Sequence, residues 1–127
     1  MIISTPVSLG ELVDKISILH IKNKNIKDDE KLKLIREELK LLTITLDGHL
    51  KKNDIQEFLD ALIKINSELW IIEDEIRDCE RSKKFDEKFI SLARSVYITN
   101  DKRSAIKLDI NKKFGSKIVA VKSYEQY

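Results

Sequence analysis

The sequence predicts an all-α protein: a helical bundle built on a long antiparallel helix hairpin, with a small β pairing between its two ends. Two observations carry this prediction. First, apolar residues recur at alternating steps of three and four in two long runs, the coiled-coil-like pattern of helices that pack along a seam. Second, the chain of 127 residues holds only three Gly and one Pro, so few residues can interrupt those runs.

The first predicted helix begins just after Ser8, because Ser8 and Glu11 have the spacing of a capping box. The residues that share its apolar face are Leu9, Leu12, Val13, Ile16, Leu19 and His20. The charged residues that lie off this face are Glu11, Asp14, Lys15 and Lys22. The helix is expected to end near Asn23, where consecutive polar residues loosen the pattern.

The second predicted helix runs from about Asp29 to Asp47. The third begins at Asn53 or Asp54, continues to about Arg81 and is the long spine of the molecule. Their seam residues are Leu32, Ile35, Leu39, Leu42 and Leu46 on the second helix, and Ile55, Phe58, Leu62, Ile65, Leu69, Ile72, Ile76 and Cys79 on the third. Because the stretch between them is polar and contains Gly48, we expect the two seams to fold against each other as an antiparallel hairpin.

The remainder of the chain is predicted to cover the flanks of this hairpin. Phe85–Glu87 start a fourth helix, and Asn100–Asp101 are expected to break it and to cap a fifth helix that ends at Gly115. The segment Lys117–Lys122 is apolar and rich in β-branched residues, which predicts a short strand pairing with residues 2–3. The length of the chain suits a single domain, residues 1–127.

Composition restricts the classes of partner. The 24 Lys and Arg nearly balance the 22 Asp and Glu, and residues 100–127 carry seven basic and three acidic groups, which is too weak an excess for a phosphate backbone. The sequence therefore argues against nucleic-acid binding. The single cysteine, Cys79, falls on the seam and fits a reducing compartment. No uncharged apolar run reaches about 18 residues, so we expect a cytoplasmic protein with no membrane partner.

No catalytic group, metal site or cofactor is predicted. Two acidic pairs, Glu57 with Asp60 and Glu75 with Asp78, resemble the Mg²⁺ motifs of all-helical nucleotide pyrophosphohydrolases. Their first carboxylates are 18 residues apart on one predicted helix, hence about 27 Å apart along its axis, so the two pairs cannot share an ion. The two histidines are too few and too scattered for a metal site.

One candidate ligand site follows a stripe of the third predicted helix. The residues of this stripe succeed one another at steps of four, three, four and three: Asn66, Trp70, Glu73, Arg77 and Glu80. Their side chains therefore lie along one line that could bind a polar ligand. The alternative is structural: Glu73 and Arg77 form an i,i+4 ion pair, and Trp70 anchors a neighbouring helix.

A second candidate site surrounds the predicted break between the fourth and fifth helices. Arg94, Tyr97, Arg103 and Lys107 flank Asn100 and Asp101, and a helix start with two Arg beside it could hold an anion. Here too a structural alternative exists, in which Asp101 caps the helix and the basic groups pair with the acidic flank of the third helix.

Several stretches of the chain carry a family resemblance. They are Pro6–Ile16, Leu69–Arg77, Leu92–Tyr97, Asn100–Asp101, and Ser116 with Lys122–Tyr124. Over nearly its full length the chain resembles an uncharacterised domain family of aquatic bacteria and their phages. The resemblance implies one compact domain and no known activity. It adds Glu11 and Lys15 to the candidate ligand-binding residues.

Two functions are predicted. The first is a non-enzymatic protein-interaction module that forms a homo-oligomer, because Leu34 and Leu41 make a second apolar line on the second helix and residues 118–121 leave a strand edge open. The second is a binding module or enzyme for a small anionic metabolite, such as a nucleotide or a sugar phosphate.

Overall fold

The computed structural model describes residues 1–127 and contains four helices and no strand. They are α1 (Leu9–Asn25), α2 (Asp29–Asp47), α3 (Lys52–Ser82) and α4 (Glu87–Lys113). The all-helical prediction is confirmed. None of the four helices combines the length and the apolar character that a membrane crossing requires.

Side-chain caps start three of the helices where the sequence predicts them. The Ser8 side chain accepts a hydrogen bond from the backbone of Glu11, and Asp28 and Asp86 cap α2 and α4 in the same way. Such caps satisfy N–H groups that have no partner inside the helix. At the other end of α3, Lys83 adopts a left-handed conformation with φ 53° and closes the helix.

The long third helix is unbroken, as predicted, and spans 31 residues, or roughly 46 Å. Its predicted seam is the buried side of the helix. The seam residues that are buried are Ile55, Leu62, Ile65, Leu69 and Cys79. The central core cluster combines Ile55, Leu62 and Ile65 with side chains from the other three helices.

The predicted hairpin of α2 and α3 is wrong. The antiparallel partner of α3 is α4, and the rings of Phe58 and Phe114 meet edge to face with centroids 6.0 Å apart where α3 begins and α4 ends. Helix α2 packs on α1 and makes no comparably extensive contact with α3; Leu46, near the end of α2, joins Ile55 in the core.

Helix α1 is the central element of the bundle, and its position explains why α2 and α3 do not form the predicted hairpin. It packs against each of the other three helices, and Val13, Ile16 and Ser17 are at most 1% exposed. A helix buried on several sides must be surrounded, so α1 occupies the space between α2 and α3 that the hairpin would have closed.

The predicted break at Asn100–Asp101 is also wrong, because α4 runs through both residues without interruption. Asn and Asp disfavour a helix interior by less than about 1 kcal/mol each. Burial of Leu92, Thr99 and Ile110 on the same helix outweighs that cost.

The predicted β pairing of the two ends is absent. Ile2 and Ile3 are exposed, and residues 117–127 run back along α4 until the ring of Tyr127 meets that of Tyr97 at 5.2 Å. A lone two-stranded pair is only marginally stable, so nothing forces these segments together.

Candidate functional site

A buried carboxylate joins three of the helices. Asp14 on α1 is 1% exposed and is surrounded by polar side chains from α3 and α4. We call these residues the Asp14 cluster: Asp14, Glu11 and Ser17 on α1, Asn66 on α3, and Arg103 and Lys107 on α4.

Hydrogen bonds occupy both carboxylate oxygens of Asp14. Arg103 Nε donates to Oδ1 at 3.0 Å, and a second guanidinium nitrogen donates to Oδ2, so the pair is bidentate. Asn66 Nδ2 lies 2.8 Å from Asp14 Oδ1 and 2.8 Å from Ser17 Oγ, and donates to both. Lys107 Nζ sits between Glu11 at 2.7 Å and Asp14 at 3.8 Å.

The cluster balances its charges internally. Burial by itself would raise the pKa of Asp14, but hydrogen bonds from Arg103 and Asn66 and the positive charges of Arg103 and Lys107 hold that pKa below its ordinary value. The hydrogen bond to Asp14 raises the pKa of Arg103 against the opposing effect of burial. Each cation is therefore committed to a carboxylate, and the arrangement clamps α1 to α3 and α4.

Helices α1 and α4 approach each other closely at Gly10. A Cβ atom at that position would lie 2.5 Å from the backbone oxygen of Lys107. The close approach also lets side chains near the end of α4 satisfy the first N–H groups of α1. Asn111 Oδ1 accepts from Gly10 N at 2.7 Å, and Ser116 Oγ accepts from Leu9 N at 3.2 Å.

An open groove of about 1190 Å³ lies beside the cluster, between α4 and residues 120–127. Its polar and aromatic lining on α4 comprises Tyr97, Asn100, Asp101, Arg103, Ser104, Lys107 and Asn111. The opposite wall is formed by Lys122, Tyr124, Glu125, Gln126 and Tyr127. The Asp101 carboxylate beside the Tyr127 hydroxyl raises the pKa of that tyrosine.

The structure brings some of the predicted ligand-binding residues together. Glu11, Asn66 and Arg103 belong to the Asp14 cluster, and Tyr97 shares the groove with Arg103. Asn66 is buried, and its amide nitrogen donates to Asp14 and Ser17. Its role is therefore structural, as for other residues of the core.

The other predicted residues lie apart from this region. Lys15 forms an ion pair of 3.6 Å with Glu38 on α2. Glu73 and Arg77 pair with each other on the surface of α3, which is the structural alternative for that stripe. Trp70 is half-buried, and Arg94 is exposed on α4.

Sequence reasoning missed the centre of the arrangement. In the sequence, Asp14 falls off the predicted apolar face of α1, and neither Ser17 nor Asn111 belongs to a predicted site, whereas Lys107 belongs to the second candidate site. The spacing of four residues contains a signal: Gly10, Asp14, Ser17 and Ile21 follow one another at steps of four, three and four, which places them on one line of α1. The structure buries all four. A small or polar residue on such a line indicates close helix contact or a paired charge.

The fold does not gather three His, Cys, Asp or Glu side chains into a metal-binding group. The acidic pairs at 57/60 and 75/78 lie on the single unbroken helix α3. Their separation along the helix axis is therefore the one that the sequence predicts.

The fold and the cluster together define an all-α protein of four helices, in which a buried ion-pair cluster ties the central helix to a long antiparallel pair. The chain belongs to the family of unknown function DUF6165, whose model matches residues 3–127. A search of curated proteins and a search of solved structures each find no match.

Proposed function

We propose that this chain is a non-enzymatic interaction module that assembles with further copies of itself. The observation that carries the proposal is the grouping of exposed, large apolar side chains on two surfaces. Single exposed apolar residues are ordinary on a soluble protein. Rows of them are the usual mark of a surface that another chain covers.

The first surface is the outer line of α2. Leu34, Leu41 and Ile44 are 67%, 50% and 59% exposed, and steps of seven and three place them on one line of the helix. The opposite side of α2 packs on α1 and buries Leu46. Helix α2 therefore has apolar residues on two of its sides, but only one of those sides is covered by another helix of the same chain.

The second surface is the segment of residues 117–127. Ile118, Val119, Val121 and Tyr124 are all exposed, and they follow one another within seven residues. β-branched and aromatic residues have high strand propensity, yet this segment forms no strand within its own chain. Its composition supports pairing with a further chain.

Sedimentation velocity of the full chain tests the proposal over a range from about 5 µM to about 1 mM, which covers weak and moderate association. We expect the weight-average sedimentation coefficient to rise with concentration towards that of a dimer or larger assembly. A coefficient that stays at the monomer value across the whole range contradicts self-assembly.

A second candidate function is binding of a small anion, such as a nucleotide or a sugar phosphate. The groove between α4 and residues 120–127 supports it, because Arg103, Lys107 and Lys122 line that groove with Tyr97. Arg103 and Lys107 already pair with the carboxylates of Asp14 and Glu11. An incoming anion therefore has to compete with these carboxylates for the two cations.

Thermal unfolding in the presence of ATP, glucose 6-phosphate or inorganic phosphate tests the second candidate. A ligand at about 100 times its dissociation constant stabilises by about 2.7 kcal/mol, which raises the melting temperature by several degrees. We expect Lys122→Ala to reduce the rise. If none of the three compounds shifts the transition, anion binding in this groove is wrong.

A cytoplasmic location and an origin in aquatic bacteria and their phages belong to the same proposal. They are supported by the lone Cys79, which is buried and free, and by the stretches that carry the family resemblance. Fractionation of cells that produce the natural protein checks the location.

A further inference from the structure

The segment of residues 117–127 leaves its own main chain without backbone partners. The last backbone hydrogen bond of the chain joins Ser116 N to Asn111 O at 2.8 Å. Ser116 Oγ then donates to the Ile118 carbonyl at 2.8 Å, and beyond that point no backbone N–H meets a backbone carbonyl. Val121 and Tyr124 are 91% and 83% exposed. The segment thus has the composition of a β-strand, but its backbone has no strand partner in the structure.

We propose that two copies of the chain pair their residues 117–125 as antiparallel strands about a twofold axis at Val121. This inference rests on the proposed function, self-assembly, and names the surface and the geometry through which it occurs. Pairing supplies each segment with the backbone hydrogen bonds that it lacks within its own chain.

The register follows from charge. With Val121 opposite its own copy, Lys117 faces Glu125 of the second copy, and Ile118 faces Tyr124 of the second copy. Opposite charges and aromatic to β-branched contacts are favourable cross-strand pairs. Lys122 then faces Ala120 of the second copy, so no like charges stand opposite each other.

Neighbouring arrangements lack these pairs. An antiparallel register centred between Val119 and Ala120 sets Lys117 against Lys122, and one centred on Lys122 sets that lysine against itself. Parallel in-register pairing places Lys117, Lys122 and Glu125 beside their own copies. Like charges directly opposite destabilise a sheet.

The expected dimer is weak. A two-stranded pair alone is marginal, but packing against a helix supports it, and α4 lies under this segment at Tyr97 and Leu108. The interface falls in the small class of less than about 1,200 Å², whose complexes are transient. We therefore expect a dissociation constant on the order of 10 to 100 µM.

A charge-exchange experiment on the full chain tests the register. Lys117→Glu and Glu125→Lys are each expected to weaken dimerisation about fivefold or more in sedimentation velocity, because each sets like charges opposite at two places. The double variant Lys117→Glu with Glu125→Lys is expected to restore the wild-type constant to within about twofold. Lys122→Glu is the matched control, since it changes the net charge as Lys117→Glu does but faces Ala120.

Oxidative cross-linking tests the axis directly. In Val121→Cys the two new thiols face each other within the reach of a disulfide, whereas in Ser123→Cys they lie four residues apart along the strands, about 13 Å. Both positions are exposed, and the native Cys79 is buried. We expect a disulfide-linked dimer from Val121→Cys at least about tenfold faster than from Ser123→Cys, given this difference in distance.

The outcomes separate this inference from the proposed function. If the chain assembles but neither single charge variant changes the dissociation constant, strand pairing is wrong and self-assembly stands. The outer line of α2 is then the surface to examine. If the single variants weaken the dimer and the double variant fails to restore it, the register is wrong. If the wild-type chain stays monomeric throughout, both proposals fail.

Discussion

At the scale of single residues, Asp14 is a buried charge that links α1 to both α3 and α4. Its carboxylate is 1% exposed and accepts hydrogen bonds from Arg103 and Asn66. Removing one partner of a buried pair leaves the other charge without compensation. The cluster is therefore costly to disturb from either side.

We expect Asp14→Asn to lower the free energy of unfolding by about 3 kcal/mol at pH 7, because Arg103 then loses its counter-charge while remaining half-buried. Urea unfolding measures the change. The matched control is Glu73→Gln, which removes the exposed pair with Arg77 and should cost less than about 0.5 kcal/mol. Equal effects of the two substitutions would contradict a structural role for the cluster.

The same carboxylate predicts a pH dependence. The pKa of Asp14 is lower in the folded protein than its ordinary value, so ionised Asp14 stabilises the fold above about pH 4, the unfolded value. This stabilisation is lost as the pH falls through the lower folded pKa. Urea unfolding between pH 6 and pH 2 should show a steeper loss of stability for the wild type than for Asp14→Asn, and parallel curves would refute the assignment.

Gly10 gives a second prediction at the residue scale. A methyl group there would meet the Lys107 backbone oxygen at 2.5 Å, so α1 and α4 would have to separate. We expect Gly10→Ala to destabilise by about 2 kcal/mol, although Ala is the better helix former by about 1 kcal/mol.

Gly48 provides the control for that experiment. It has φ −71° and ψ −15°, and a Cβ there would lie no closer than 3.4 Å to its nearest neighbour. Gly48→Ala should therefore be neutral or stabilising by about 0.5 kcal/mol. Thermal unfolding of the two variants gives the comparison, and a stabilising Gly10→Ala would mean that the helices do not touch at this point.

At the scale of elements, the continuity of α4 is one of the features in which the structure differs from the sequence prediction. A break at Asn100–Asp101 would make Asp101 an N-cap, whose loss costs about 1 kcal/mol. In an unbroken α4, Asp101 is an interior residue with low helix propensity. The two arrangements predict opposite signs for one substitution.

We expect Asp101→Ala to stabilise by about 0.5 kcal/mol, because Ala is the better helix former and α4 is continuous. Asp86→Ala is the control, since Asp86 caps α4 by accepting a hydrogen bond from Phe89 N at 3.4 Å, and its loss should cost about 1 kcal/mol. Chemical denaturation of both variants decides the matter. Destabilisation by Asp101→Ala would favour two separate helices.

At the scale of the whole molecule, the four helices carry the stability and residues 118–127 do not. Those residues form no backbone hydrogen bonds with each other or with the helices, and their apolar side chains stay exposed. The anchor that matters to the helices is Ser116, which caps α1 through Leu9 N.

Deleting residues 118–127 should consequently leave the monomer folded, with a free energy of unfolding within about 1 kcal/mol of the full chain. Ser116→Ala in the full chain should cost about 1 kcal/mol, because it removes a helix cap. Far-UV circular dichroism and urea unfolding at low micromolar concentration measure both. Loss of the fold on deletion would assign the segment a structural role.

The sequence predicts the helices well because their signals are local. The caps at Ser8, Asp28 and Asp86 act within three residues, and the seam of α3 repeats within a single helix. The buried seam, the unbroken α3 and the exposed line of Leu34 and Leu41 therefore agree with the structure.

The candidate site is less predictable because it joins distant parts of the chain. Asn66 lies 52 residues from Asp14, and Asn111 lies 101 residues from Gly10. Periodicity assigns each of these residues to one face of its own helix, but it does not show which other helix that face contacts. Of the predicted ligand-binding residues, Glu11, Asn66 and Arg103 fall in the cluster. Asp14 itself looks solvent-exposed in sequence because it is charged.

The sequence by itself thus determines three of the helix starts, the apolar seam and the additional apolar line on α2, all of which depend on residues within a turn or two of each other. Only the tertiary structure decides that α1 lies at the centre, that α3 pairs with α4, and that α4 continues through Asn100. Those choices depend on total burial and on pairing buried charges, and both quantities exist only once the distant helices have come together.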